Sequence, residues 1–487
     1  MYDLLRISLR KGALLPAFVG FWSYRNDYRR ILKMITKSML MRVSVCALAV
    51  LGSARAASAV VVANLGPDYQ PAALGQTSAT VNAGAGIADT AGTGRWNYIQ
   101  GDTGGANPTL LTFKSNPGNS GLPAYAGTAG ASESGFSMPA LANTKLFSTG
   151  TTPVADALNF HPGNENPREI IAQWTVGSNG LYNLAGTMIN YNAGNGVSTF
   201  LRINGVNQSP DEISNANREV GYNYLSNLNA GDLVSIVVDS NGNFGNDETG
   251  VRFRATQLEG RLLANVGGDY VPAQNGQTSA SINIVDTAGQ GTWRYFGSDN
   301  INIDATANEQ LGVFGVVGDS GNSGYGDGLN GFNLSAVSDR RLFTSGETPL
   351  ADELSIHPAD STRPFEVLRW TAGVGEAGLV NVVGNIRNPV IGGDGIEFYI
   401  LVDGVQMFSA VSTGNTLPMS FFDFEALVSV GSTIDFVQGR RAGFGFDESI
   451  LSAFIVQAAT VPEPATLTLM ALAGMFTLGR RSKSRRA

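Results

Sequence analysis

Short runs of apolar, β-branched and aromatic residues recur along this chain, separated by glycine-containing polar turns. Glu397 to Val402 is a run of β-branched and aromatic residues, and Val405 to Val411 follows directly after Asp403-Gly404. Two such runs joined by Asp-Gly predict a β-hairpin with a tight turn. Asn204-Gly205 holds the same place about 200 residues earlier. Leu233 to Val238 and Thr433 to Val437 predict further strands, entered through Ala230-Gly231-Asp232 and Val430-Gly431-Ser432. With 61 glycines the chain has no room for long amphipathic helices, and only short segments such as Asn333 to Arg341 suit a helix. The expected class is all-β, with a β-sandwich or jelly roll in each unit.

The units are copies of one another. Ala63-Asn64-Leu65-Gly66-Pro67-Asp68-Tyr69 returns as Ala264-Asn265-Val266-Gly267-Gly268-Asp269-Tyr270, a spacing of 201. Asp89-Thr90-Ala91-Gly92 returns as Asp286 to Gly289, Trp96-Asn97-Tyr98 as Trp293-Arg294-Tyr295, and His161-Pro162 as His357-Pro358. Trp174 pairs with Trp370, and Asp247-Glu248 with Asp447-Glu448. A period this long gives each copy enough chain to bury its own core, which predicts two domains rather than a solenoid. Residues 60–259 and 260–459 are the expected repeats, flanked by 1–59 and 460–487.

Both flanks read as addresses. Val461 precedes Pro462-Glu463-Pro464, an apolar stretch from Ala465 to Gly479, and the cations Arg480, Arg481, Lys483, Arg485 and Arg486. This order resembles the PEP-CTERM sorting signal of Gram-negative bacteria. The resemblance implies an exported chain held transiently in the inner membrane, basic tail in the cytoplasm, until an exosortase cuts near the Pro-Glu-Pro motif and the protein passes to the surface or matrix. A helix of 15 residues at about 1.5 Å each is shorter than a hydrocarbon core of roughly 30 Å. The flanking cations must therefore help it span, on the side the positive-inside rule prefers. A permanent single-span anchor is the alternative reading. At the other end, Met34 to Lys37 with Arg42, then Val43 to Leu51, then Ala57-Ser58-Ala59 form the n-region, h-region and cleavage site of a signal peptide, with cleavage expected before Val60. The first 33 residues form either a long n-region or a stretch upstream of a start at Met34, Met39 or Met41.

Removing both ends changes the charge. The whole chain is at −8, but the body between Val60 and Val461 carries 17 Lys and Arg against 37 Asp and Glu, a net of −20. Such a body repels nucleic acid and favours cations or neutral partners. Cys46, the one cysteine, lies in the h-region. An exported body without disulfides relies on core burial and hydrogen bonding.

Candidate chemistry is sparse. Asp239, Asn241, Asn243, Asp247 and Glu248 surround a glycine-rich turn, where oxygen ligands suit calcium; a polar hairpin turn is the alternative. His161 and His357 can serve a metal with Asp156 or Asp352, or simply bond the adjoining backbone. Trp96 with Tyr98, and Trp293 with Tyr295, lie two residues apart, so both rings of a pair share one face of a strand. Exposed, they form a platform for sugar rings; buried, they are core, as Trp174 and Trp370 are expected to be. Gly318-Asp319-Ser320-Gly321 matches a serine-protease tetrapeptide, but the copy has Pro117 at the serine and no base is placed to serve it. The second half of each unit looks like sandwich domains of secreted bacterial surface proteins, some of them carbohydrate-binding. The expectation is a non-enzymatic exported surface or matrix protein, associated with exopolysaccharide or biofilm as the sorting-signal families are. A pair of carbohydrate-binding modules is the first alternative, and a secreted hydrolase with two carboxylates at a catalytic separation the second.

Overall fold

A computed structural model describes residues 59–458, except 72, 82–85, 103–105, 115–123, 128–139, 144, 147–154, 164–168, 192–195, 214–218, 241–246, 273–276, 299–308, 311, 315–323, 327–335, 343–348, 359–363, 389–393, 413–416 and 442–446. The leader, the Pro-Glu-Pro motif, the apolar stretch, the basic tail and the serine tetrapeptide all lie outside the described residues. No helix among the described residues is long and apolar enough to cross a membrane.

The first repeat is framed by β1 (Ala59–Asn64), β2 (Arg95–Asp102), β3 (Leu158–His161), β4 (Glu169–Thr175), β5 (Gly180–Asn190), β6 (Val197–Ile203), β7 (Val206–Ile213), β8 (Glu219–Leu228), β9 (Leu233–Asp239) and β10 (Thr249–Leu258). The second repeats the set as β11 (Arg261–Asn265), β12 (Thr292–Ser298), β13 (Leu354–His357), β14 (Phe365–Thr371), β15 (Gly378–Asn388), β16 (Ile396–Val402), β17 (Val405–Val411), β18 (Leu417–Val428), β19 (Thr433–Arg440) and β20 (Ser449–Gln457). The expected hairpins are β6–β7 and β16–β17. Asn204 and Gly205 sit at φ 50° and 81°, Asp403 and Gly404 at 48° and 78°. Two consecutive positive φ values define the turn whose twist suits a two-residue hairpin, and Asn, Asp and Gly tolerate them best. One expectation fails: Asn333 to Arg341 forms no described helix, and its Ala336–Ser338 is a strand paired with β13, so sheet pairing overrides the weak local preference.

Each repeat is a sandwich of two antiparallel sheets. In the first, one sheet runs β8–β5–β10–β3 and continues into three short strands, with β1 also on β10; the other runs β7–β6–β9–β4–β2. The second repeat has the same orders, β18–β15–β20–β13 and β17–β16–β19–β14–β12. A separate core fills each sandwich. Trp96, Trp174, Tyr182, Leu184, Ile236 and Phe253 belong to one core, and Trp293, Trp370, Val382, Phe398, Phe436 and Ile455 to the other.

The β8–β5–β10 and β18–β15–β20 sheets also bury their second faces, against each other. Leu181, Leu225 and Leu258 meet Val383, Phe454 and Val456 there. Only Glu259-Gly260 separates β10 from β11, so the repeats are docked by construction. The contacts are reciprocal. β8 meets β20, where Asn223 donates to Ser452 at 2.6 Å, and β18 meets β10, where the Arg254 guanidinium lies 3.1 Å from Asp423. This is the pattern of an isologous pair, built inside one chain.

Burying these faces places polar groups out of water. Arg387 on β15 is 1% exposed and forms a two-pronged pair with the fully buried Glu353, at 2.6 and 2.9 Å. It lies against Gly221 of the first repeat, where a side-chain carbon would overlap the guanidinium. Removing one partner of a buried pair strands the other charge, at a cost of about 3–5 kcal/mol. Arg387→Met is therefore expected to lower stability by that amount in urea unfolding. Arg387→Met with Glu353→Leu should recover most of the loss, because it removes both charges.

Candidate functional site

The aromatic pairs on β2 and β12 do not form a platform. Trp96, Tyr98 and Tyr295 are fully buried and Trp293 is 1% exposed. Both rings of each pair share a face, as the spacing requires, but that face points into the sandwich. Each indole also has a partner: Trp96 Nε1 donates to Asp68 at 2.9 Å, and Trp293 Nε1 to Asp269 at 3.0 Å. Trp174 and Trp370 donate likewise to Asp89 at 3.0 Å and Asp286 at 2.8 Å. The exposed-platform reading of Trp96, Tyr98, Trp293 and Tyr295 is thus corrected by burial.

The two Asp-Glu pairs precede β10 and β20. Glu248 Oε1 accepts from the Leu146 amide at 2.7 Å and from Asn159 at 2.6 Å. Glu448 does the same for the Leu342 amide at 2.8 Å and for the Ser355 hydroxyl. In both repeats this glutamate ties the end of the sandwich to a neighbouring segment. Asp247 is fully buried and neither carboxyl oxygen has a hydrogen-bond partner. Of the five residues expected around calcium, Asp239, Asp247 and Glu248 are buried, while Asn241 and Asn243 lie outside the described residues. His161 and His357 are buried on β3 and β13. Among the described residues no three His, Cys, Asp or Glu are grouped to hold a metal ion.

A polar cleft lies between the repeats. It has a volume of about 540 Å³ and is lined by Asn64, Asp156, Arg252 and Arg254 from the first repeat, and by Phe408 to Val411 and Met419 to Phe421 from the second. Arg252 and Arg254 are two apart on β10, so both project from the face turned toward the second repeat. Both guanidinium carbons lie 5.5 Å from the centre of the Phe421 ring, within the range of a cation–π contact. Arg252 Nη1 donates to the Met419 carbonyl at 2.9 Å, and Arg254 Nη2 to Asp423 at 3.1 Å. Burial pulls the Arg254 pKa down, and the Asp423 charge partly restores it. The lining offers charge, hydroxyls, an amide and aromatic surface. It holds no histidine beside Ser409 or Ser420 to act as a base.

The sequence carried a signal for this cleft that alternation alone does not expose. In a body with 17 cations, two arginines two residues apart on one strand are a local concentration of positive charge. Their counterparts in the other repeat are Ser452 and Phe454, because Gln257 and Gln457 hold the same register on β5 and β15.

Comparison with known proteins gives one specific match. Residues 460–486 match the PEP-CTERM protein-sorting motif. No curated protein is significantly similar to the chain. Among solved structures, the tandem CBM51 modules of a family 98 glycoside hydrolase from Streptococcus pneumoniae are 11% identical, covering 65% of this chain and 88% of that one at a TM-score of 0.19. A family 35 carbohydrate-binding module from Clostridium thermocellum is 17% identical over 27% of this chain and 86% of its own, TM-score 0.16. An allantoicase is 10% identical over 65% of this chain and 86% of its own, TM-score 0.19. Overlaps this weak carry no argument about function.

The buried carboxyls set a pH dependence. Burial raises the Asp247 pKa to about 8 and the Asp447 pKa to about 7, the latter helped by the Asp394 charge and opposed by the Gly395 amide and Arg440. A carboxyl raised in the folded state stabilises the fold below its ordinary range near 4 and loses that contribution as pH rises through the folded value. Unfolding free energy is expected to fall between pH 5 and 8, by at most about 1.4 kcal/mol per pH unit for each group. Asp247→Asn with Asp447→Asn should flatten that slope in urea titrations run at each pH.

Proposed function

We propose that this is a non-catalytic exported protein that an exosortase-type enzyme processes at its C-terminus and that then resides at the cell surface or in the extracellular matrix of a Gram-negative bacterium, in contact with polysaccharide. The sorting motif at 460–486 supports the route. It marks an exported protein that passes through a membrane-held intermediate. The body behind it suits residence outside the cell. It is acidic, it needs no disulfide, and its two sandwiches are locked through a shared face rather than strung on a flexible linker. A scaffold-like body with a lined cleft fits a binding role better than turnover.

The second reading, a carbohydrate-binding module pair, keeps the same route and gives the polysaccharide contact a defined site. The cleft favours it. The third, a hydrolase, requires two carboxylates facing each other across a pocket, and among the described residues Asp156 is the one carboxylate lining the cleft.

Intact-mass spectrometry of the protein recovered from native host fractions tests the route. A mature mass ending near Pro464 in the surface or medium fraction is expected. Pro462→Ala with Pro464→Ala should move the protein into the inner-membrane fraction with its tail intact. If wild-type protein also extends to Ala487 in the inner membrane, the segment is a permanent anchor and the proposal is lost.

A further inference from the structure

The reciprocal contact between the repeats is unequal, and the cleft is where the equality fails. On the closed side, Asn265 Nδ2 donates to Asp352 Oδ1 at 2.6 Å, and Asp352 Oδ2 accepts from the Leu225 amide of the first repeat at 3.1 Å. Arg387 fills the space over Gly221. On the open side the same positions are Asn64, Asp156 and Phe421. Among the described residues, neither Asn64 nor Asp156 makes the corresponding side-chain bond. The aromatic ring at Phe421 stands where glycine stands in the other copy, and it supports two guanidinium groups instead of admitting one.

We infer that this cleft binds one carboxylate-bearing sugar residue, a uronate, of an acidic polysaccharide; the inference rests on the polysaccharide contact proposed above. A guanidinium has five N–H donors in a planar fork that matches a carboxylate in a two-pronged geometry. Arg252 uses Nη1 and Arg254 uses Nη2 on protein acceptors, and the Nε–H of both is buried without a partner. The two groups are thus held in place by Phe421, and the donors they offer a ligand are their remaining Nη–H groups. The opposite needs of a sugar ring are met in the same cleft. Asn64, Asp156 and Ser409 can pair with hydroxyls, and Phe408, Ala410 and Phe421 offer apolar surface to ring C–H groups. The volume lies within the roughly 300–1,000 Å³ of small-molecule sites.

The charge balance makes the assignment selective. Arg254 already pairs with Asp423, but a neutral hexose would leave Arg252, bonded only to the Met419 carbonyl, without an anion. A bare anion would leave Asp156 facing negative charge with no hydroxyl to bind. A uronate supplies both chemistries on one ring. The body as a whole, at −20, opposes general polyanion binding, so attraction is confined to this cleft.

Isothermal titration of the full chain in mild detergent tests this with oligomannuronate and its carboxyl-reduced counterpart, an oligomannose of the same linkage. Tighter binding of the uronate, by tenfold or more, is expected. Arg252→Gln should remove that preference, while Arg261→Gln, an exposed arginine outside the cleft, should leave it intact. Ser409→Trp, an exposed position on the rim, should block binding without touching either guanidinium, which covers the case in which Arg252→Gln fails to fold. Equal affinity for both oligomers, or uronate binding that survives Ser409→Trp, overturns the uronate site and leaves a polysaccharide contact elsewhere on the protein intact. Equal affinity for dextran sulfate sinks the carboxylate assignment. Absence of binding to every saccharide, with the mature mass still ending near Pro464, removes this inference and the polysaccharide contact but not the export route.

Discussion

Two sheets that are each already covered on one face by their own sandwich also lose the other face to a neighbour, and this shared layer governs the rest of the molecule. A strand buried on both sides cannot keep the usual exchange of apolar inside for polar outside. β5 and β15 keep it in sequence, with Asn183 and Thr187 on one outer face and Asn381, Asn385 and Arg387 on the other, yet all of these are buried. Burying one aliphatic side chain gains about 1.5–3 kcal/mol, and leaving one buried polar group unpaired costs about 1–3. The two are similar in size, so the apolar cluster around Phe454 and Val383 cannot by itself fix how the repeats meet. The pairs Asn223–Ser452 and Arg254–Asp423, with Arg387 packed over Gly221, select the register. The selection is incomplete, since Thr187 Oγ1 and the carbonyl oxygens of Asn183, Asn381 and Asn385 are buried without a partner.

Within each sandwich the indole–carboxylate bonds do comparable work. Asp68 accepts from Trp96, from the Asn64 amide at 2.8 Å and from Thr90 at 2.7 Å. Asp269 accepts from the matching Trp293, Asn265 and Thr287. One carboxylate thereby joins the first strand, the following loop and a core tryptophan. The repetition explains why Ala-Asn-x-Gly-x-Asp-Tyr and Asp-Thr-Ala-Gly stand out in the sequence: they are one hydrogen-bonded unit written in two places.

Much of the fold was legible because a period of two and an Asn-Gly or Asp-Gly pair each have a single local meaning. The hairpins at Asn204-Gly205 and Asp403-Gly404 needed nothing from the rest of the chain. Trp96 and Tyr98 were placed on one face by spacing, but spacing does not say which face is wet, and only the opposing sheet decides it. The cleft was less legible still. It depends on Arg252 and Arg254 facing Phe421 across 167 residues or more of chain, and on a duplication whose copies have diverged to glycine at one position and phenylalanine at its counterpart. Asn183 and Asn385 mislead in the same way, since a polar residue at an outward position reads as solvated until a second sheet arrives.

The start of β1 and the end of β20 both lie beside the two-residue connector: Ala59 pairs with Leu258, and Gln457 with Arg261. The body is therefore entered and left at the junction of its halves. β20 is paired with β11, β13 and β15 along its length. When the body is held by the chain that leaves β20 and flow drags on the rest, the load runs along that strand. It is then shared by several rows of hydrogen bonds in shear instead of peeling them one by one.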